Sequence, residues 1–204
     1  MMEIIAHRAS FNGQENTIEC IKHYKKLGIG VELDLRYSSN GVYMSHDIQN
    51  NGDLFEIACK LCSNSKIKMA LHIKEIKAVP EAVKLLKKYS INNCFLLDTE
   101  KNDLSKIVNE FEIAQYINKK PDDLKQKILW CDETESKWYE KNYISNIQKN
   151  NKVLYAMSFE VTNINYSEDK IFSEWKRLIE LGIDGICTKQ PEKLIEFVKR
   201  GDFN

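Results

Sequence analysis

Two carboxylates lie two positions apart inside an apolar run near the start of the chain. Glu32 and Asp34 alternate with Val31, Leu33 and Leu35, and residues i and i+2 of a strand point to the same face. Two inward carboxylates repel each other unless a hard divalent cation such as Mg²⁺ or Ca²⁺ neutralises them. We therefore predict a cation site at Glu32 and Asp34. For this segment alone, the alternative is a solvated strand with alternating charge.

Two of the four histidines come at strand ends close to this pair in the chain. His7 ends the first predicted strand, and His46 follows the strand after Glu32 and Asp34. Two imidazoles at one rim suit general acid–base catalysis near neutral pH, because one removes a proton while the other donates one. We predict that His7 and His46 form this pair. His23 lies within a predicted helix, where a solvated or packing role is expected.

Positively charged side chains occur at the same kind of position. His72 and Lys74 lie two apart at the end of a further predicted strand, and Arg8 follows His7. Lys74 is a compact charge that can contact non-bridging phosphate oxygens and stabilise developing negative charge, and Arg8 can do the same. The alternative for Lys74 is a surface lysine at a strand end. Together these residue types are those that metal-assisted phosphoryl chemistry uses.

Short apolar or β-branched runs alternate with segments of helical periodicity along the chain. Strands are predicted at 2–7, 30–36, 42–45, 67–73, 93–98, 112–117, 128–131, 153–159 and 183–187. Helices are predicted at 16–27, 53–63, 79–89, 101–110, 136–150, 168–181 and 191–200. Asn16 is expected to cap the first helix, and Gly28 to end it.

This alternation predicts an α/β fold with parallel strands and right-handed crossovers. About eight such units in about 200 residues favour a closed (β/α)8 TIM barrel over an open doubly wound sheet, which is the second choice. We expect one domain over residues 1–204, since this length supports one substantial core. In such a barrel the catalytic groups lie at the carboxyl ends of the strands, where the residues named above are found.

Composition narrows the classes of function. Lys and Arg number 30 and Asp and Glu number 30, so the basic excess that is typical of nucleic-acid or membrane-surface binding is missing. No apolar run approaches the roughly 20 residues of a membrane span, and the start does not resemble a signal peptide. We expect a cytoplasmic protein with six reduced, buried cysteines. Cys59 and Cys62 have a zinc-like spacing, but packing of a helix face is the expected role.

Four short motifs in order resemble those of the glycerophosphodiester phosphodiesterase family. They are His7-Arg8-Ala9, Glu15-Asn16-Thr17, Glu32-Leu33-Asp34-Leu35 and Ser45-His46-Asp47. A weaker resemblance continues in Leu71-His72-Ile73-Lys74 and in the segment from Asp184 to Pro191. Ala9 stands where the family usually has glycine. The small insertion common in bacterial members is missing between His46 and His72.

The resemblance implies a TIM barrel that hydrolyses a small glycerophosphodiester, or a polyol or sugar phosphodiester, to a phosphomonoester of the glycerol 3-phosphate type and an alcohol. It implies roles for the quoted residues, which are metal ligation by Glu32 and Asp34, acid–base catalysis by His7 and His46, phosphate contact by Arg8 and Lys74, and support by Glu15, Asn16 and Asp47. The same metal and histidines would also serve a lyase that forms a cyclic phosphate.

His72 occupies the position of the third acidic metal ligand of the family. Imidazole also ligates metals but is softer than carboxylate, so we predict His72 as a third ligand that would favour Mn²⁺ or Zn²⁺ relative to Mg²⁺ or Ca²⁺. Because an expected acidic ligand is replaced, an alternative is that the protein is a relative of the family that binds phosphodiesters without cleaving them. Three later acids at predicted strand ends could contact the substrate, namely Asp98, Asp132 and Glu160.

Overall fold

The computed structural model describes residues 2–49, 51–97, 104–121, 123–133, 137–162 and 166–201. Strands in these ranges are β1 (Glu3–Ala6), β2 (Gly30–Ser38), β3 (Gly41–Met44), β4 (Met69–Ile73), β5 (Cys94–Leu97), β6 (Glu112–Ile117), β7 (Ile128–Cys131), β8 (Val153–Met157) and β9 (Gly185–Thr188). Helices are α1 (Ile18–Leu27), α2 (Phe55–Cys62), α3 (Val79–Lys88), α4 (Lys141–Lys149), α5 (Phe159–Thr162), α6 (Glu168–Glu180) and α7 (Pro191–Arg200). Short 3-10 turns lie at His7–Ala9, Ile76–Ala78 and Leu104–Lys106.

All nine predicted strands are present, and all of their ends lie within two residues of the prediction. The strand predicted at 153–159 stops at Met157, because Phe159 begins the short helix α5. The helix predicted at 101–110 is wrong over residues 104–110, because this segment forms only the short turn Leu104–Lys106. Residues 101–103 lie outside the described ranges.

The cap predicted for α1 is one residue out. Thr17, not Asn16, caps the helix, and its Oγ1 accepts a hydrogen bond of 3.3 Å from the amide of Cys20. Asn16 has a left-handed backbone with φ of 55°. Both the nitrogen and the oxygen of its side-chain amide form hydrogen bonds with Asp34. The end of α1 agrees with the prediction, because Gly28 adopts φ of 70° after the last turn.

The chain contains two compact units. The N-terminal unit is Ala6–Ile113, and the C-terminal unit is Met1–Ile5 with Ala114–Asn204. The prediction of one domain over the whole chain stays a prediction. In the N-terminal unit, β2 pairs with β3 antiparallel and with β4 parallel, and β4 pairs in turn with β5. This arrangement places the carboxyl ends of β2, β4 and β5 at one edge of the sheet.

In the C-terminal unit the strands β6, β7, β8 and β9 pair in parallel in this order. The amide of Glu3, on β1, donates to the carbonyl of Asp184, which precedes β9, at 2.8 Å. Helices α4, α6 and α7 bury apolar side chains in one core, which includes the fully buried Trp175. This burial is the main contribution to the stability of the unit.

The cysteines agree with the prediction of reduced, buried thiols. All six are free and buried. Burial raises the pKa of Cys62 to about 11 and raises that of Cys59 further. Among the described residues, the group of His, Cys, Asp and Glu side chains close enough to share a metal ion does not include either cysteine. The two residues lie on the buried face of α2. No helix within the described ranges is both long enough and apolar enough to cross a membrane.

Candidate metal and phosphate site

Glu32, Asp34 and His72 form one cluster in the N-terminal unit. One ligand atom from each residue lies within 4.8 Å of the other two. His72 Nδ1 is 3.2 Å from Asp34 Oδ1 and 3.8 Å from Glu32 Oε1. The register of the parallel strands explains this contact, because β2 and β4 align Asp34 directly with His72. The side chain aligned with Glu32 is the small Ala70.

The two carboxylates are almost fully buried, with 2% of Glu32 and 1% of Asp34 exposed. Burial raises the pKa of Glu32 well above its usual range, and the charge of Asp34 raises it further. Burial acts on Asp34 in the same direction, but hydrogen bonds and charge from His72, with help from Asn16 and Lys74, outweigh it and hold the pKa of Asp34 well below its usual range. The pair is therefore electrostatically unequal in the absence of a cation.

The turn after β1 supplies an amide to the cluster. Arg8 N donates to Glu32 Oε2 at 2.7 Å, and His7 Nε2 lies 3.9 Å from the same oxygen. The turn requires left-handed backbone at Arg8, with φ of 51°, and at Ala9, with φ of 45°. Glycine adopts this conformation without strain, whereas alanine incurs a cost of about 1 kcal/mol. The buried methyl of Ala9 is therefore kept in a strained turn beside the site.

Asn16 holds Asp34 in place by a reciprocal pair of hydrogen bonds. Asn16 Nδ2 donates to Asp34 Oδ2 at 3.0 Å, and Asp34 N donates to Asn16 Oδ1 at 3.0 Å. The backbone amide of Asn16 also donates to the carbonyl of Arg8 at 2.7 Å. Glu15 accepts a hydrogen bond from Arg8 Nη1 at 3.1 Å. These contacts connect the first two sequence motifs to the carboxylate pair.

Two cations flank Asp34. Arg8 Nε is 3.5 Å from Asp34 Oδ2, and Lys74 Nζ is 3.8 Å from Asp34 Oδ1. Their side chains are 24% and 19% exposed, respectively. Both side chains are thus partly accessible to solvent next to a buried anionic pair. This position allows them to contact a further anion that binds beside the carboxylates.

His46 lies on the loop after β3 and is connected to the cluster through the backbone. Ser45 N donates to the carbonyl of Asp34 at 3.0 Å, so His46 is one residue from this anchor. Its Nδ1 is 2.9 Å from Asp47 Oδ1, and the imidazole is 34% exposed. A carboxylate at Nδ1 favours the proton on this nitrogen and leaves Nε2 as the basic atom. His23 has the expected packing role, since its ring stacks on Phe11 at 3.7 Å between centroids.

Two residues beside His46 are not singled out by sequence analysis. Arg36 donates to the carbonyl of His46 from Nε at 3.0 Å and from Nη2 at 2.6 Å. Its Nη1 donates to Glu75 Oε1 at 2.8 Å. One signal for Arg36 exists in the sequence, because it follows Asp34 by two positions and so shares its strand face. Glu75 follows Lys74 but carries no such signal.

The later acids predicted to contact substrate have protein partners. Asp132 accepts a hydrogen bond from the hydroxyl of Tyr116 in the C-terminal unit. Glu160, in the same unit, accepts hydrogen bonds from the hydroxyls of Ser158 and Thr188. Both acids are buried, so their local contacts are those of residues that order strand ends. Their contact with a substrate stays a prediction, and Asp98 lies outside the described residues.

The donor set of Glu32, Asp34 and His72 fits a divalent cation. The carboxylates are the hard oxygen ligands that Mg²⁺ and Ca²⁺ prefer, whereas imidazole suits Mn²⁺ and Zn²⁺. Three protein ligands leave coordination positions for water or substrate, as in catalytic rather than structural metal sites. A cation would also neutralise the repulsion between two buried carboxylates. The cluster therefore has the composition and spacing to hold one divalent ion.

Solved structures with the same fold cover nearly the whole chain. A glycerophosphodiester phosphodiesterase from Parabacteroides distasonis has a TM-score of 0.73 at 15% identity, over 98% of each chain. One from Thermotoga maritima has a TM-score of 0.69 at 18% identity, over 96% of this chain and 98% of its own. An Oleispira antarctica phosphodiesterase in complex with the product sn-glycerol-3-phosphate has a TM-score of 0.73 at 16% identity, over 97% and 96%. No protein-family model and no curated protein matches the sequence.

At these identities the likeness concerns the fold. It agrees with the closed barrel that the alternation of strands and helices predicts, and the open doubly wound sheet is the weaker description. The chain therefore has the (β/α)8-barrel fold of the glycerophosphodiester phosphodiesterases.

Proposed function

We propose that this protein is a metal-dependent phosphodiesterase of the glycerophosphodiester type. The reaction is hydrolysis of a small glycerophosphodiester, or of a polyol or sugar phosphodiester, to a phosphomonoester and an alcohol. The solved proteins of like fold carry this activity in their names, and one was solved with sn-glycerol-3-phosphate as its product. We also propose that the protein acts in the cytoplasm on a small molecule and binds no nucleic acid.

The observation that carries the proposal is the arrangement around Asp34. A buried carboxylate pair that suits a divalent cation lies within 4 Å of two partly exposed cations, Arg8 and Lys74. A phosphate diester carries one negative charge and two non-bridging oxygens. Such a group complements a bound cation flanked by a guanidinium and an ammonium.

In this mechanism the side chains of the chain have separate roles. Arg8 and Lys74 bind the non-bridging oxygens and stabilise charge that develops as the phosphorus is attacked. His7 and His46 transfer protons, one from the attacking water and one to the leaving alkoxide. Asn16 and the amide of Arg8 keep Asp34 and Glu32 in position. We propose that Glu15 and Asp47 support Arg8 and His46 through the contacts described above.

When bound, a divalent cation at Glu32, Asp34 and His72 supplies Lewis-acid polarisation of a phosphoryl oxygen and charge neutralisation. We propose Mg²⁺ or Ca²⁺ as the resident ion, with Mn²⁺ as an alternative that the imidazole of His72 favours.

The test is turnover of glycerophosphocholine, glycerophosphoethanolamine and an aryl phosphodiester by the purified protein with Mg²⁺, Mn²⁺ or Ca²⁺. We expect activity that a chelator removes and that Glu32→Ala abolishes, whereas Glu19→Ala, on the exposed surface of α1 with 74% of its side chain accessible, retains it. Phosphorus NMR of the products distinguishes hydrolysis from formation of a cyclic phosphate. Binding of these diesters without turnover of any would refute the proposed hydrolase and indicate a binding protein.

A further inference from the structure

The loop that carries His46 has little regular structure to hold it. It follows β3 and runs to α2, with a bend at His46 and Asp47 and with Asn50 outside the described ranges. The side-chain contact of His46 is with Asp47, whose side chain is 90% exposed. An ion pair this open to water can orient the imidazole proton but contributes little to the position of the loop, because solvent screens it. Within the loop, Ser45 Oγ donates to the carbonyl of Asp47 at 2.7 Å, and a contact from outside the loop would restrain the peptide of His46 further.

Arg36 provides this restraint through the backbone. Two of its three guanidinium nitrogens donate to one acceptor, the carbonyl of His46, at 3.0 and 2.6 Å. The third nitrogen donates to Glu75 Oε1 at 2.8 Å, and the side chain of Arg36 is only 13% exposed. In an ordinary surface salt bridge, two guanidinium nitrogens donate to the carboxylate. Here one nitrogen of Arg36 donates to the carboxylate of Glu75, and the other two donate to the loop carbonyl of His46.

Glu75, which binds Arg36, is itself fixed to the strand β2. Glu75 Oε2 accepts a hydrogen bond from the amide of Tyr37 at 3.3 Å, so Glu75 is tied back to β2. Its chain neighbour Lys74 donates its own amide to the carbonyl of Leu35 at 2.9 Å. Arg36 and Glu75 thus connect the ends of β2 and β4 to the His46 loop. The ends of β2 and β4, which carry Asp34 and Lys74, are therefore also the part of the fold to which the His46 loop is attached.

We infer that Arg36 is a positioning residue for His46, which acts on catalysis by fixing the peptide of the acid–base histidine without touching the substrate. This inference rests on the proposed phosphodiesterase function. Arginine is required because its planar fork reaches one carbonyl and one carboxylate together, whereas lysine offers a single point of donation. Misplacement of a catalytic group by about 1 Å can reduce the rate by about 100-fold.

The test compares Arg36→Lys, His46→Ala and the double variant on an aryl phosphodiester, with Arg200→Lys as the matched exposed arginine. We expect Arg36→Lys to lower kcat by about 10- to 100-fold while KM changes by less than about threefold. In the His46→Ala background the same substitution should cost less than about twofold, because the group it positions is gone. The increase in Tm that Mn²⁺ produces should be the same in Arg36→Lys as in the parent, because Glu32, Asp34 and His72 are unchanged.

The outcomes separate the two proposals. A parent without turnover would overturn the proposed function and, with it, the role of Arg36. A parent with turnover and an equally active His46→Ala variant would leave the phosphodiesterase activity in place and overturn the roles of His46 and Arg36. If the parent is active and His46→Ala is impaired, two results would overturn only the role of Arg36. One is an Arg36→Lys variant with the kcat of the parent, and the other is an equal loss of kcat from Arg36→Lys in the parent and in the His46→Ala background. If Arg36→Lys does not fold, Glu75→Gln replaces it, and it should lower kcat by about threefold to tenfold with the same dependence on His46.

Discussion

Replacement of one buried carboxylate by its neutral isostere should reverse the order of stability of parent and variant when metal is added. Glu32→Gln keeps the shape of the side chain and an oxygen that can accept from Arg8 N. The ligand atoms of the cluster lie within 4.8 Å of one another. At this distance and an effective dielectric constant of about 20, two unit charges repel by about 3.5 kcal/mol.

The variant also loses stabilising contacts. The hydrogen bond from Arg8 N becomes one to a neutral acceptor, which weakens it by about 1 kcal/mol, and the attraction to nearby cations is lost. In the metal-free parent, Glu32 either stays ionised and is repelled by Asp34 or takes up a proton. Both lower the stability of the folded state, and the neutral amide of the variant avoids both. With the lost attraction to nearby cations counted at about 1 kcal/mol, we expect a net gain of about 1.5 kcal/mol for Glu32→Gln, or about 3–6 °C in Tm for a chain of this length.

Divalent cation should reverse this difference. At a Mn²⁺ concentration about 100 times Kd, the parent gains about 2.7 kcal/mol, whereas the variant, with one carboxylate ligand fewer, gains much less. The assay is thermal unfolding at pH 8 in a chelator and then in Mn²⁺, with Glu19→Gln as the exposed control. A variant less stable than the parent in chelator, or one stabilised equally by Mn²⁺, would refute the electrostatic argument.

Three further predictions concern the neighbouring groups and the buried thiols. His72→Glu should lower metal-free stability by about 2–4 kcal/mol, because it adds a third carboxylate, and should raise the affinity for Mg²⁺ relative to Zn²⁺ in thermal titrations; an unchanged preference would count against His72 as a ligand. Asn16→Ala should destabilise by about 2–4 kcal/mol in urea through two lost hydrogen bonds to Asp34 and a left-handed backbone, and Asn16→Gly should recover about 1 kcal/mol of this loss. Equal values for the two variants would contradict the backbone contribution. The reaction of native Cys62 with a thiol reagent should keep rising with pH beyond 9, because burial raises its pKa to about 11 and thiolate is the reactive form, whereas a plateau near pH 8.5 would show an ordinary thiol.

The sequence by itself was sufficient for the order of the strands and for the face that carries the acids. Alternation along β2 places Glu32 and Asp34 on one side and Leu33 on the other, and this period depends on local backbone geometry alone. The recurrence of strands and helices then restricts the fold to very few arrangements. The pairing of Asp34 with His72 follows once β2 and β4 lie side by side.

Tertiary structure alone decided which polar groups hold these residues. Asn16 has the residue type of a helix cap, and only the approach of Asp34 makes its amide a partner for that carboxylate. Arg36 and Glu75 are 39 positions apart, and no local pattern pairs them or directs the guanidinium to the carbonyl of His46. Hydrogen bonds between loops depend on distances that the fold sets across many residues. Residue type and spacing therefore indicated the carboxylates and histidines of the candidate site, while the groups that position them could be found only in three dimensions.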